Sequence, residues 1–177
     1  MTTPNTTEKS FEQSIEDALV ASGYGKRRSE DYDRALGLDP GAVLDFLYAT
    51  QPKEWEKYRK QHGEGAKQKL FHRIASEVKA RGTLDVLRNG VKSNGCKFRL
   101  AYFRPASGLN EETRRLHAAN LFAVVRQLRY SAKNEKSLDL VLFLNGIPIF
   151  TAELKNPLNG QDVEDAIRQY KTDRDPR

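Results

Sequence analysis

Hydrophobic and polar positions recur along this chain with two different periods, and the change of period divides it. From Ser10 to Gly23 the apolar residues Phe11, Ile15, Ala18 and Leu19 follow helical spacing. Ser10 and Gln13 stand at capping-box separation, and Gly23 supplies the stop. On this helix Glu12 projects at the edge of the apolar stripe beside Leu19, with Glu16 further toward solvent. Residues 24–40 read as a charged connection. Two helices are expected next, from Gly41 to about Ala49 and from Lys53 to about Gln61. His62-Gly63-Glu64-Gly65 interrupts the pattern. A further helix carries Leu70, Phe71, Ile74, Ala75 and Val78 on one face and stops at Gly82. The Lys- and Glu-rich region 41–82 therefore reads as a helical insertion or cap over a core.

Beyond Gly82 the period falls to two. Cys96, Phe98, Leu100 and Tyr102 alternate with Lys97, Arg99 and Ala101, which predicts a strand near 96–103, entered through Ser93-Asn94-Gly95. A helix is expected over Asn110 to Leu121, and FAVVRQLRYS (122–131) reads as a second strand. The run SLDLVLFLNGIPIFTAELKNP (137–157) supplies two more, near 138–144 and 148–155, about the turn signal Asn145-Gly146. Past Pro157, the residues Val163, Ala166, Ile167 and Tyr170 mark a last amphipathic helix. The expected fold is α/β: a mixed central sheet of about four strands flanked by helices, with the helical insertion at one side. The expected organisation is a flexible tail over 1–9 and a single domain over 10–177.

Composition narrows the class only slightly. A charged fraction of 31% beside a 38% hydrophobic one describes a folded chain, and the net charge of +6 suits a polyanionic partner. The lone Cys96 permits no internal disulfide, which fits a reducing cytoplasm. No apolar run is long enough for a membrane span, and the polar N-terminus has no signal-peptide core. His62, His72 and His117 share no metal-ligand spacing.

The chemistry lies in the 137–157 run, where Asp139, Glu153 and Lys155 interrupt the most apolar stretch of the chain. Burying an ion costs several kcal/mol unless it is paired or metal-bound. Alternation puts Glu153 and Lys155 on one face, and the turn decides whether Asp139 joins them. A two-residue loop sets Asp139 opposite Ala152 and separates the acids. A three-residue loop with a left-handed glycine brings all three together, and Pro148 at the start of the returning strand favours that looser turn. Converged carboxylates suit a hard divalent cation, Mg²⁺ before zinc, with Asp139 and Glu153 as ligands. Lys155 then orients a water or stabilises charge on a phosphate, the chemistry of phosphodiester hydrolysis. A plain ion pair between Asp139 and Lys155 at a sheet edge is the competing reading. Arg126, Arg129, Lys97 and Arg99 either contact phosphate or form solvated strand faces.

SLDLVLFLNGIPIFTAELKNPLNGQ resembles the N-terminal nuclease domain of the restriction (R) subunit of type I restriction–modification enzymes, within the PD-(D/E)XK nuclease superfamily. SFEQSIEDALVASGY, AYFRPASGLNEE, NLFAVVRQLRYS and AIRQYKTDRDP extend the likeness over most of the chain. The resemblance implies a restriction-endonuclease-like fold and Mg²⁺-dependent cleavage of double-stranded DNA in restriction of foreign DNA. It makes Asp139 the motif aspartate, Glu153 and Lys155 the (D/E)xK pair, and Glu12 an additional acidic residue. Leu138 precedes Asp139 where the motif has proline. Many R subunits carry Gln-x-x-x-Tyr after the site. Here Gln169 is followed four residues on by Asp173, and Tyr170 is adjacent and lies on the apolar face. Gln169, Tyr170 and Arg126 are the candidate DNA-contacting residues. The implied partners are DNA and the methylation and specificity subunits. ATP is needed only by the motor of the full-length subunit, and no G-x(4)-G-K-[ST] occurs in this chain. The alternative function is a non-catalytic module docking DNA or partner subunits.

Overall fold

The computed structural model describes residues 8–107, 109–131, 133, 135–154, 167–168 and 171. The elements run α1 (Glu8–Ala21), β1 (Gly25–Lys26), α2 (Pro40–Thr50), α3 (Pro52–His62), α4 (Ala66–Arg81), α5 (Thr83–Asn89), β2 (Val91–Ser93), β3 (Cys96–Phe98), α6 (Glu111–Ala118), β4 (Phe122–Arg129), β5 (Ser137–Leu144) and β6 (Ile147–Ala152). The fold is mixed α/β, as the periodicity predicts. The central sheet has the order β1-β4-β5-β6, with β1 parallel to β4 and the other pairs antiparallel.

Two strand assignments change. The segment expected as a central strand near 96–103 forms only β3, paired with β2 in a separate two-stranded hairpin. Its buried Cys96 and Phe98 face the helices rather than the sheet. The fourth strand of the sheet is instead β1, inside the connection expected over 24–40. With only two residues, β1 has no periodicity for a sequence to reveal.

The region from α2 to β3 forms a helical body with its own core, built from Phe46, Leu47, Trp55, Tyr58, Leu70, Ile74 and Phe98 among others. Each of its helices has a local reason to begin or end. Asp39 caps α2 by accepting from the Ala42 N–H at 3.0 Å, with Pro40 at the first helical position. Pro52 opens α3 in the same way, and Gly63 at φ +57° closes it. α4 stops at Gly82 as expected, although α5 follows at once.

The tip of the β5–β6 hairpin joins this body to the sheet. Asn145 and Gly146, at φ 52° and 83°, make a two-residue turn with both central residues left-handed. Asn145 is buried and fully engaged. Its Oδ1 accepts from the Leu121 N–H at 2.7 Å, and its Nδ2 donates to the Leu100 carbonyl and to Asn120 Oδ1, both at 2.9 Å. The Asp39 N–H donates to the Gly146 carbonyl at 2.8 Å. A Cβ at residue 146 would lie 2.5 Å from the Asp39 carbonyl oxygen, so only glycine permits this approach. The hairpin is thereby pinned against the start of α2, and Leu144 and Ile147 pack into the helical core.

Helix α1 departs most from its sequence reading. Ser10 lies within the helix rather than capping it. Phe11 is 53% exposed, whereas Glu12 is 4% and Glu16 only 1% exposed. The helix buries its acidic side one turn at a time. Glu16, expected toward solvent, is instead an interior carboxylate. Among the described residues no helix is long and apolar enough to cross a membrane.

Candidate active site

The hairpin decides whether Asp139 and Glu153 meet. Near the turn the pairs are Leu144↔Ile147 and Phe143↔Pro148. After a shift between Leu142 and Phe143 they become Leu142↔Phe150, Val141↔Thr151 and Leu140↔Ala152. Ile149 is the extra residue of a β-bulge, next to the proline that cannot donate to the ladder. The three-residue turn expected from the sequence is therefore not formed. A tight turn followed by a bulge reaches the same parity by another route. Carried one position further, the register sets Glu153 opposite Asp139, on one face. The Leu154 N–H donates to Asp139 Oδ2 at 2.7 Å, which fixes the carboxylate against the end of the returning strand.

On the other side of β5, Gln127 of β4 donates through Nε2 to Asp139 Oδ1 at 3.2 Å. The same nitrogen donates to Glu12 Oε1 of α1 at 2.9 Å. Glu12 and Asp139, 127 positions apart in sequence, thus share one amide. The Glu12 side chain also lies 4.0 Å from Arg126. Two of the expected site residues meet directly through this amide, and Glu153 follows by register. Lys155, Gln169 and Tyr170 lie outside the described residues.

Behind this arrangement sits a charge cluster around the buried Glu16. Glu16 Oε2 accepts from Lys26 Nζ at 2.6 Å and from Gln13 Nε2 at 3.3 Å. Arg126 Nε lies 3.2 Å from the same oxygen but is not aimed along its N–H. Arg126 is accordingly not on a freely solvated strand face. Its guanidinium is held between Glu16 and Glu12, with 26% of the side chain exposed. Nearby, Arg27 makes a two-pronged bond to Asp39, both contacts 2.8 Å, and this pairing raises the Arg27 pKa further. It ties β1 to the α2 cap.

The sequence pattern did not single out Gln127, Ser137 or Glu16. Gln127 is uncharged and sits where an alternating strand puts a surface residue, so its type carries no signal. The apolar stripe points to Phe11, Ile15 and Leu19 as the buried side, which leaves Glu16 toward solvent, whereas the helix buries Glu16.

The donor set is carboxylate oxygen. Among the described residues no three His, Cys, Asp or Glu side chains gather closely enough for an all-protein metal cage. Mg²⁺ does not require one, since one or two carboxylates completed by water and substrate phosphate form its usual setting. The residues therefore fit that ion in kind and in number.

No curated protein and no solved structure matches the chain. A family model does, over residues 5–177. With an α/β fold and an Asp-turn-Glu hairpin already in place, that match over nearly the whole length assigns the chain: it belongs to the family of the type I restriction enzyme R protein N terminus (HSDR_N), the nuclease-type domain of a restriction R subunit.

Proposed function

We propose that the chain is a Mg²⁺-dependent endonuclease domain that hydrolyses phosphodiester bonds of double-stranded DNA. The observation that carries this reading is the convergence of Glu12, Asp139 and, by register, Glu153 at one end of the sheet. Glu12 and Asp139, which share one amide, repel one another, and a divalent cation relieves that repulsion. Asp139 and Glu153 are the residues that would hold the ion, with Glu12 as an additional acid. When bound, Mg²⁺ supplies polarisation of a phosphoryl oxygen and neutralises charge developing on it. Lys155, two residues beyond Glu153, holds the attacking water or donates to the phosphate as its negative charge grows. Water adds to phosphorus, the bond to one ester oxygen breaks, and a phosphate monoester and an alcohol remain. The basic balance of the chain favours a polyanionic substrate.

In a complete restriction enzyme the partners would be the methylation and specificity subunits, with ATP consumed by the motor of the same R subunit. The cytoplasm, where those partners and DNA meet, is the proposed location.

The test carries Asp139→Asn, Glu153→Ala and Lys155→Ala into the complete R subunit, assembled with its partner subunits. Cleavage of plasmid DNA is followed with Mg²⁺ and ATP. Loss of cutting in all three, with DNA binding retained, supports the nuclease reading. Cutting that survives Asp139→Asn and Glu153→Ala contradicts it and leaves a docking role.

A further inference from the structure

Gln127 organises the acidic end of the sheet, although it is neither charged nor a metal-binding residue type. It stands between the pairs Arg126↔Leu140 and Leu128↔Leu138, which puts it opposite Asp139. Its φ of +49° lies in the left-handed region, which costs a residue with a full side chain roughly 1 kcal/mol or more. Glycine or asparagine would occupy that backbone at lower cost. A glutamine kept there calls for an explanation in its side chain.

Both ends of its amide are committed. The two N–H bonds of Nε2 go one to Glu12 Oε1 and one to Asp139 Oδ1. The Ser137 hydroxyl donates to Gln127 Oε1 at 2.9 Å. The carboxylates fix which end of the amide faces them, because they only accept, and the Ser137 hydroxyl then donates to the oxygen at the other end. The amide eases the repulsion between the carboxylates without adding charge. A lysine or arginine there would neutralise them and compete with a cation. Each carboxylate oxygen has a second lone pair, so the amide bond and a metal bond do not exclude each other.

We infer that Gln127 is a positioning residue that holds Glu12 and Asp139 convergent for a divalent cation, and that Ser137 holds Gln127 in turn. The inference rests on the metal-dependent reading above and adds to it two residues outside the acidic motif.

The experiment measures Mn²⁺ binding to the 177-residue chain by calorimetry and by the electron paramagnetic resonance signal of the bound ion. The chains compared are the parent, Gln127→Met, which keeps length but removes both donors, and Ser137→Ala. Gln127→Met is expected to weaken Mn²⁺ binding by about tenfold, the usual size of an outer-shell loss, and Ser137→Ala by less. In the assembled enzyme, cleavage lost in Gln127→Met should return as the divalent ion is raised, which a merely structural defect would not allow. Unchanged affinity in a folded Gln127→Met chain overturns the inference. So does tighter binding, since the amide would then be a placeholder that the ion displaces. If Gln127→Met does not fold, Ser137→Ala decides alone, and unchanged affinity there overturns the inference. A parent chain that binds no Mn²⁺ is a different result and overturns the metal reading itself.

Discussion

The helical body and the sheet are built on opposite rules. The body buries aromatic and aliphatic side chains almost without charge, as in the Tyr58–Phe98 edge contact, whose ring centroids are 5.4 Å apart. Its exposed ions pair along a helix, as Glu56 does with Arg59. The sheet has a smaller apolar cluster, around Val125, Val141 and Phe143, and the helix over β4 buries Glu12 and Glu16. Removing a carboxylate should therefore mean different things in the two regions. In the body it deletes a screened surface contact. Beside the sheet it takes a buried anion away from the half-buried Arg126 or dismantles the site. The division separates where the chain gains its cohesion from where it keeps its reactive groups.

The sharpest break in that comparison is expected at Asp139. Asp139→Asn keeps an acceptor for the Leu154 N–H but loses the one that Gln127 uses, so the thermal midpoint should fall only modestly. Cleavage by the assembled enzyme should fall about a thousandfold, roughly 4 kcal/mol in barrier. A large fall in stability with little change in rate would make Asp139 a structural residue. Next in size is Glu16→Ala, which leaves Arg126 and Lys26 facing each other without their shared anion. Chemical denaturation should show a loss of about 2 kcal/mol, below that of a fully buried pair, because Lys26 is largely exposed and Arg126 keeps Glu12 beside it. Asn145→Ala, which strands the Leu121 N–H and the Leu100 carbonyl at the hairpin pin, should cost about 2 kcal/mol in the same experiment. The smallest effect is Glu56→Ala on α3, where solvent screens the exposed pair with Arg59 and the denaturation midpoint should not move measurably. Equal losses from Glu16→Ala and Glu56→Ala would erase the distinction between the regions.

Much of this was legible in the residues, and the failures have identifiable causes. The helices of the body follow from periodicity and from Pro40, Pro52, Gly63 and Gly82 at their ends, because those residues act locally. The common face of Asp139 and Glu153 is expected from a three-residue turn and is reached through a bulge instead. Asn-Gly fits turns of either parity, and the bulge at Ile149 is decided by how the strand leaves a pinned tip. Pro148 was the visible clue, pointing to irregularity in the ladder rather than to a longer loop. Glu16 escapes the helical stripe rule, which assigns apolar residues to the interior. That rule fails where the neighbouring strand carries Arg126 and needs an anion beneath it. Gln127 gave no signal, since its role depends on a left-handed backbone and on partners far away in sequence. The DNA-contact expectations at Gln169 and Tyr170 and the role of Lys155 fall outside the described residues.

The central claim is that the bulged hairpin puts Asp139 and Glu153 on one face, beside Glu12, to share a divalent cation. The most direct measurement is a crystal structure of the chain soaked in Ca²⁺, a non-reactive stand-in for Mg²⁺. The account predicts an ion bound by Asp139 and at least one of Glu153 and Glu12, with oxygens at about 2.3–2.6 Å. Asp139 and Glu153 on opposite faces of the sheet, or an ordered hairpin with no ion at either carboxylate, would contradict it.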